Sequence, residues 1–227
     1  MTRVFYADVT PLMNDTVFEA HLKNTPVFRQ EKINRLKFRK DKNLSLGAWI
    51  VCSYALKQEG INLSDAGFEY DKSGKPYLKN LPDIHISLSH SESIALCAIS
   101  DERVGLDAEF VSDFNEGICK RFFSKKERDY VLSCSDSALK RERFFRIWVL
   151  KESYVKFTGK GIGGFCDFDI DAESDEILMN NKYGICSCFF SELSIPGYKA
   201  AVCTVKKETP EVSRVNVIKE LVNFDLT

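Results

Sequence analysis

The chain has 227 residues, 44% of them hydrophobic and 29% charged, enough for one large domain or two small ones that each bury a core. Its 32 lysines and arginines against 33 acidic side chains leave a formal net charge of −1, so no global field draws it to nucleic acid or an anionic membrane. No run approaches the ~18 apolar residues of a membrane span.

Residues 1–9 alternate like a strand and lack the apolar core and cleavage site of a signal peptide, which predicts a cytoplasmic protein. The eight cysteines fit that compartment: none form Cys-x-x-Cys, and most, like Cys97, lie among apolar neighbours, as reduced buried thiols do. Residues 12–25 are mixed. A cation-rich helical pattern follows, with Arg29, Lys32, Arg35, Lys37, Arg39, Lys40 and Lys42. Such a run is ordinarily a solvated face, but Arg29, Lys32 and Lys37 fall at three-to-five spacing that can line up cations against a polyanion. Residues 44–58 read as a buried helix through Leu46, Ile50, Val51, Tyr54, Ala55 and Leu56, stopped by Glu59-Gly60.

Residues 68–70 lead into the turn Asp71-Lys72-Ser73-Gly74-Lys75-Pro76, which serves either as hairpin punctuation or as open backbone with one lysine for a nucleotide. Strands are predicted over 84–89 and 94–99, joined by a polar turn at Ser89-His90-Ser91. No Gly-x-Ser-x-Gly elbow surrounds either serine, so a hydrolase is not indicated. The two readings of that turn are a satisfied hairpin and a phosphate site built from hydroxyls and an imidazole.

In Val104-Gly105-Leu106-Asp107-Ala108-Glu109, a period of two sends Val104, Leu106, Ala108 and Phe110 one way and both carboxylates the other. After a loop over 111–117, residues 120–128 interleave cations with Phe122 and Phe123, a docking surface suited to an acidic protein. Ser124 and Glu127 have capping-box spacing, which by itself accounts for both. A helix over about 140–158 carries the apolar stripe Ile147, Leu150, Tyr154, Phe157, with Trp148, Glu152 and Lys156 on a neighbouring face. Strands are predicted over 165–170, 183–190 and 198–205, and a short segment over 214–222 ends the pattern. The fold class expected is therefore α+β, each half holding helices and a small, mainly antiparallel sheet, with the join just before Val104.

Asp107, Glu109 and Glu152 supply three carboxylates, the all-oxygen set a magnesium ion accepts while keeping positions open for phosphate and water. Lys156, one helical turn beyond Glu152, is placed to neutralise a phosphoryl oxygen, or is simply its i,i+4 surface partner.

Gly74-Lys75-Pro76, Ser89-His90-Ser91, Val104-Gly105-Leu106-Asp107-Ala108-Glu109, Phe122-Phe123-Ser124-x-x-Glu127 and Trp148-x-x-Lys151-Glu152-Ser153-x-x-Lys156 stand in the order and approximate spacing of a known family. In these motifs the chain resembles the 4′-phosphopantetheinyl transferases, most closely their long, Sfp-type branch. Pro196-Gly197-Tyr198-Lys199-Ala200-Ala201-Val202-Cys203 looks like that branch too.

The resemblance implies a monomer of two similar subdomains, 1–103 and 104–227, related by a pseudo-two-fold, with coenzyme A between them. It implies transfer of phosphopantetheine to a serine of an apo acyl, peptidyl or aryl carrier protein, docked near 120–128, with no nucleic-acid or membrane partner. By similarity Asp107, Glu109 and Glu152 hold magnesium, with manganese as an alternative. Lys156 contacts the coenzyme's diphosphate, Ser89 and His90 meet coenzyme phosphate, and Lys75 lies along the adenine. Arg29, Lys32 and Ser45 fall near the 3′-phosphate, although the arginine the family often carries after the aspartate matched by Asp41 is replaced within Asn43-Leu44-Ser45. Glu152 is the first choice of base for the incoming serine and Glu127 the second. The competing readings are a non-catalytic coenzyme A or carrier-binding module of the same fold and a magnesium-dependent phosphatase.

Overall fold

In a computed structural model, residues 1–72, 74–173, 178–181 and 188–222 are described. The first part of the chain runs β1 (Arg3–Asp8), α1 (Asp15–Lys23), α2 (Val27–Asn34), α3 (Arg39–Gln58), α4 (Leu63–Ala66), β2 (Phe68–Tyr70), β3 (Pro76–Leu78), β4 (His85–Ser91) and β5 (Ile94–Ser100). The remainder runs β6 (Val104–Phe110), α5 (Glu116–Phe122), α6 (Lys125–Leu132), α7 (Ser137–Thr158), β7 (Phe168–Asp171), β8 (Leu178–Asn181), β9 (Phe189–Ile195), β10 (Tyr198–Thr204), β11 (Glu211–Arg214) and α8 (Val217–Val222). The α+β class is thus observed.

Two sheets organise the molecule, one in the order β11-β1-β5-β4 and one in the order β6-β10-β9. Within them only β1 and β11 pair in parallel. Each sheet buries one face under a long helix. Ala7, Ala95, Cys97 and Ile99 pack with Leu46, Ile50 and Val51 of α3, whereas Ala201 and Cys203 pack with Leu150, Tyr154 and Phe157 of α7. The opposite faces share a third core, in which Val4, Leu96 and Ala98 meet Val104, Leu106, Ala108, Ala200 and Val202. Alternation along β5, β6 and β10 decides which side chain joins which core.

Several expectations shift. Residues 12–25, mixed in pattern, contain α1, started by Asn14, whose side chain accepts from the backbone N–H groups of Thr16 and Val17. The cationic run is two helices rather than one, because α2 ends at Asn34 and α3 begins at Arg39. Ser89-His90-Ser91 is not a turn: β4 continues through Ser91, paired with Ile94, and the reversal falls at residues 92–93. The strand expected over 165–170 is a 3-10 turn, Ile162–Asp167, followed by β7. Of the strand expected over 183–190, residues 183–187, Cys186 among them, lie outside the described residues. A division at 103/104 leaves β11, Val215 and Val217 with the first sheet and its core. Among the described residues no helix is long and apolar enough to cross a membrane.

Candidate active site

The site forms where α7 lies across β6. Asp136 opens α7 by accepting from the N–H groups of Ala138 and Leu139. Ile147, Leu150, Tyr154 and Phe157 are buried as their spacing requires. Trp148 stacks on Phe144 at 5.9 Å and meets Phe165 edge-on at 5.3 Å, so it is packing that fixes the helix. Gly105 sets the closeness of approach: a Cβ there would stand 2.0 Å from the Ser153 carbonyl oxygen and 2.4 Å from the Phe157 nitrogen. The missing side chain lets α7 rest on the strand, with Glu152 and Lys156 beside the face that carries Asp107 and Glu109.

Asp107 is only 3% exposed. Its Oδ1 accepts from Lys156 Nζ at 2.6 Å and from Ser89 Oγ at 2.8 Å. Its Oδ2 is buried without a hydrogen bond. Lys156 Nζ also reaches Ser89 Oγ at 3.2 Å and the Leu88 carbonyl at 3.3 Å. Burial, then the nearby Asp107 charge, raises the Glu109 carboxyl, with Ser91 and Lys156 opposing. Burial, reinforced by Asp107 and Glu109 and opposed by Lys156, lifts Glu152 to about 7. The three carboxylates therefore share one electrostatic environment.

By chemistry this set fits a hard divalent cation: all donors are oxygen, and one buried carboxylate oxygen is unsatisfied. Among the described residues, no three His, Cys, Asp or Glu side chains are drawn within the span of a single ion; Lys156 neutralises Asp107 instead. A cleft of about 210 Å³ opens next to them, lined by Gly74, Lys75, Pro76, Ser87, Glu152 and Lys156 among others.

The remaining sequence candidates fall into different settings. Lys75 does not project from its turn. Its ammonium donates to the Val104 carbonyl at 3.1 Å and the Lys156 carbonyl at 2.6 Å, and burial, with Arg103 adding to it, pulls it down to about 8. The β2–β3 hairpin is thereby clasped to α7 and β6. Arg29 and Ser45 meet directly, Nη2 donating to the Ser45 carbonyl at 2.9 Å and Oγ at 3.2 Å. Arg29 is 4% exposed and buried over Trp49, so it is no solvated cation. Tyr70, which periodicity did not single out, joins the group: its hydroxyl accepts from Arg29 Nη1 at 2.6 Å and its ring lies 3.7 Å beneath Lys32 Nζ. His90 is exposed on β4.

Glu127 does not reach the cleft as a base. It is 1% exposed, and it completes the capping box by accepting from Ser124 N at 2.7 Å. It also accepts from Ile170 N at 2.8 Å and from the ammonium of Lys151, itself fully buried, at 2.8 Å. Burial lowers the Lys151 ammonium below its usual range, with Glu127 opposing. This buried pair joins α6 to α7, and removing either partner would strand the other's charge in the interior. On the basic stretch, Phe123 is buried and Phe122 half-buried. Lys125 and Lys126 pair with Asp129 and Asp171, while Arg121 lies exposed over the Phe122 ring.

The family model of the 4′-phosphopantetheinyl transferase superfamily matches residues 103–203. The chain is 32% identical over 187 residues to 4′-phosphopantetheinyl transferase Sfp of Bacillus subtilis, covering 81% of this chain and 83% of that one. It is 30% identical to 4′-phosphopantetheinyl transferase ffp of Bacillus subtilis, with the same two coverages. With 4′-phosphopantetheinyl transferase gsp of Aneurinibacillus migulanus it shares 29% identity across 100% of this chain and 96% of that one.

Proposed function

The chain belongs to the 4′-phosphopantetheinyl transferase superfamily, in its Sfp-type branch, and from that membership we propose that it moves 4′-phosphopantetheine from coenzyme A to a serine hydroxyl of an apo carrier protein. A new bond forms between the serine oxygen and the phosphorus that bears pantetheine. The bridging bond of the diphosphate breaks, and adenosine 3′,5′-bisphosphate leaves. The observation that supports this reading is the Lys156–Asp107–Ser89 contact, with Asp107 Oδ2 unsatisfied and Glu109 and Glu152 held beside it at a cleft.

Asp107, Glu109 and Glu152 would hold magnesium, or manganese in its place, which when bound supplies charge neutralisation for a diphosphate. Lys156 exchanges its contact with Asp107 for a diphosphate oxygen. Glu152, lifted to about 7 by burial, is suited to take the proton of the incoming serine. Ser89 and His90 approach coenzyme phosphate, Lys75 holds the hairpin along the adenine, and Arg29, Lys32 and Ser45 line the 3′-phosphate position. The acidic carrier meets exposed Lys120 and Arg121 beside Phe122. The protein acts as a cytoplasmic monomer, its two α+β halves related by a pseudo-two-fold.

Incubation with coenzyme A, magnesium chloride and a panel of apo carriers, followed by mass spectrometry of the carriers, is expected to show the mass gain of one phosphopantetheine. Asp107→Ala is expected to lower the rate at least ~100-fold while keeping the circular dichroism of the parent. No gain on any carrier, or full activity of the variant, would overturn the reading. Tight coenzyme A binding without transfer would point to the non-catalytic module instead.

A further inference from the structure

The two sheets meet along a seam in which serine hydroxyls take the place of backbone carbonyls. Strand β6 is the edge of its sheet, so the N–H groups on its side away from β10 need acceptors. Alternate residues of β4 provide them. Ser87 Oγ accepts from Leu106 N at 2.9 Å, Ser89 Oγ from Ala108 N at 3.2 Å and Ser91 Oγ from Phe110 N at 3.1 Å. At the end of the row, Ser93 Oγ lies 3.0 Å from the Tyr198 hydroxyl.

A serine hydroxyl has one proton and two lone pairs. With the N–H on a lone pair, its proton is aimed elsewhere, and the side chains between those N–H groups are Asp107 and Glu109. Ser89 Oγ donates to Asp107 Oδ1 at 2.8 Å and Ser91 Oγ donates to Glu109 Oε2 at 2.7 Å. Ser87 makes the same seam bond beside Gly105, where there is no carboxylate to orient.

Resting on the cation reading above, we propose that Ser91 is a positioning residue for Glu109, fixing one carboxylate oxygen and leaving the other for a divalent ion. Ser89 does the same for Asp107 but also touches Lys156, so Ser91 isolates the effect. The metal site is thereby assembled only when the two sheets are docked in register. Groups that orient metal-binding carboxylates commonly set affinity by about 10–100-fold.

The test is titration of Mn²⁺ in the presence of coenzyme A, with free Mn²⁺ followed by electron paramagnetic resonance and folding followed by thermal melts. Ser91→Val is expected to bind Mn²⁺ about 10-fold more weakly than the parent. Ser91→Thr, of nearly the same shape but with a hydroxyl, is expected to stay within about twofold of the parent. Ser93→Ala, which loses the Tyr198 contact at the end of the row and lies outside the cleft, is expected to keep its Mn²⁺ affinity unchanged. Parent-like affinity in Ser91→Val, or an equal loss in Ser93→Ala, would overturn the role of Ser91 while leaving the cation reading intact. Failure of the parent to bind Mn²⁺ would overturn the cation reading and the inference with it.

Discussion

Glu152 sits where burial and two neighbouring carboxylates oppose its charge, which raises it from an ordinary 4.5 to about 7. The sign of the linked stability follows directly. Below about pH 4.5 the group is protonated whether the chain is folded or not. As pH rises towards 7 the unfolded chain releases its proton first, so stability falls across that window and is level above it. A shift of this size corresponds to roughly 3–4 kcal/mol at most, and less once solvent screening of a partly exposed group is allowed for. Glu152→Gln is therefore expected to show a flatter stability profile between pH 5 and pH 8 than the parent, measured by urea unfolding in EDTA. Parallel profiles for the two proteins would show that Glu152 is not held in the environment described. The residues that carry this cluster were legible because chemistry and spacing coincide: Asp107 and Glu109 two apart on a strand, Glu152 and Lys156 four apart on a helix. Glu127 was legible both as a cap and, by resemblance, as the second choice of base, and the structure gives it the cap's partners, with Ser124, Ile170 and Lys151 on its oxygens.

At the scale of elements, the placement of α7 on β6 turns on Gly105. An added methyl group would meet the backbone of Ser153 and Phe157, which cannot swing aside as a flexible side chain would. The helix must lift, carrying Glu152 and Lys156 away from Asp107. Gly105→Ala is expected to cost about 1–3 kcal/mol in chemical denaturation and to lower transfer at least ~10-fold, whereas Gly163→Ala, with nothing within 4 Å of its Cβ, leaves stability unchanged. Parent-like stability and activity in Gly105→Ala would mean that the contact is looser than described. Strand β6 announced itself through its period of two, and α7 through the stripe Ile147, Leu150, Tyr154, Phe157 and its glycine stop, although apolar side chains are buried on several of its faces. Helix α1 did not, since it is only nine residues long, spans little more than two turns, and its start depends on Asn14. The polar face of β4 misled for a physical reason: Ser89-His90-Ser91 has turn composition, but its hydroxyls are spent on the open edge of β6 rather than on a chain reversal.

Across the whole molecule, the sequence divides more neatly than the fold does. Local patterns place the join before Val104, but the pairing of β11 with β1 and the seam of β4 with β6 are long-range contacts with no local signature. A short strand such as Glu211–Arg214 carries no periodicity that marks its partner. Val215 and Val217 complete the first core, and the third core draws side chains from both parts of the chain. Residues 1–103 alone would expose Val4, Leu96 and Ala98 on one sheet face and leave β1 without β11. Residues 104–227 alone would leave the β6 N–H groups without their serine acceptors and Asp107 without Ser89. Each piece expressed separately is therefore expected to give a poorly dispersed amide NMR spectrum, and an equimolar mixture to recover the dispersion of the parent. Well-dispersed spectra from the separate pieces would mean that the shared core and the serine seam are dispensable, and that each half folds on its own core alone.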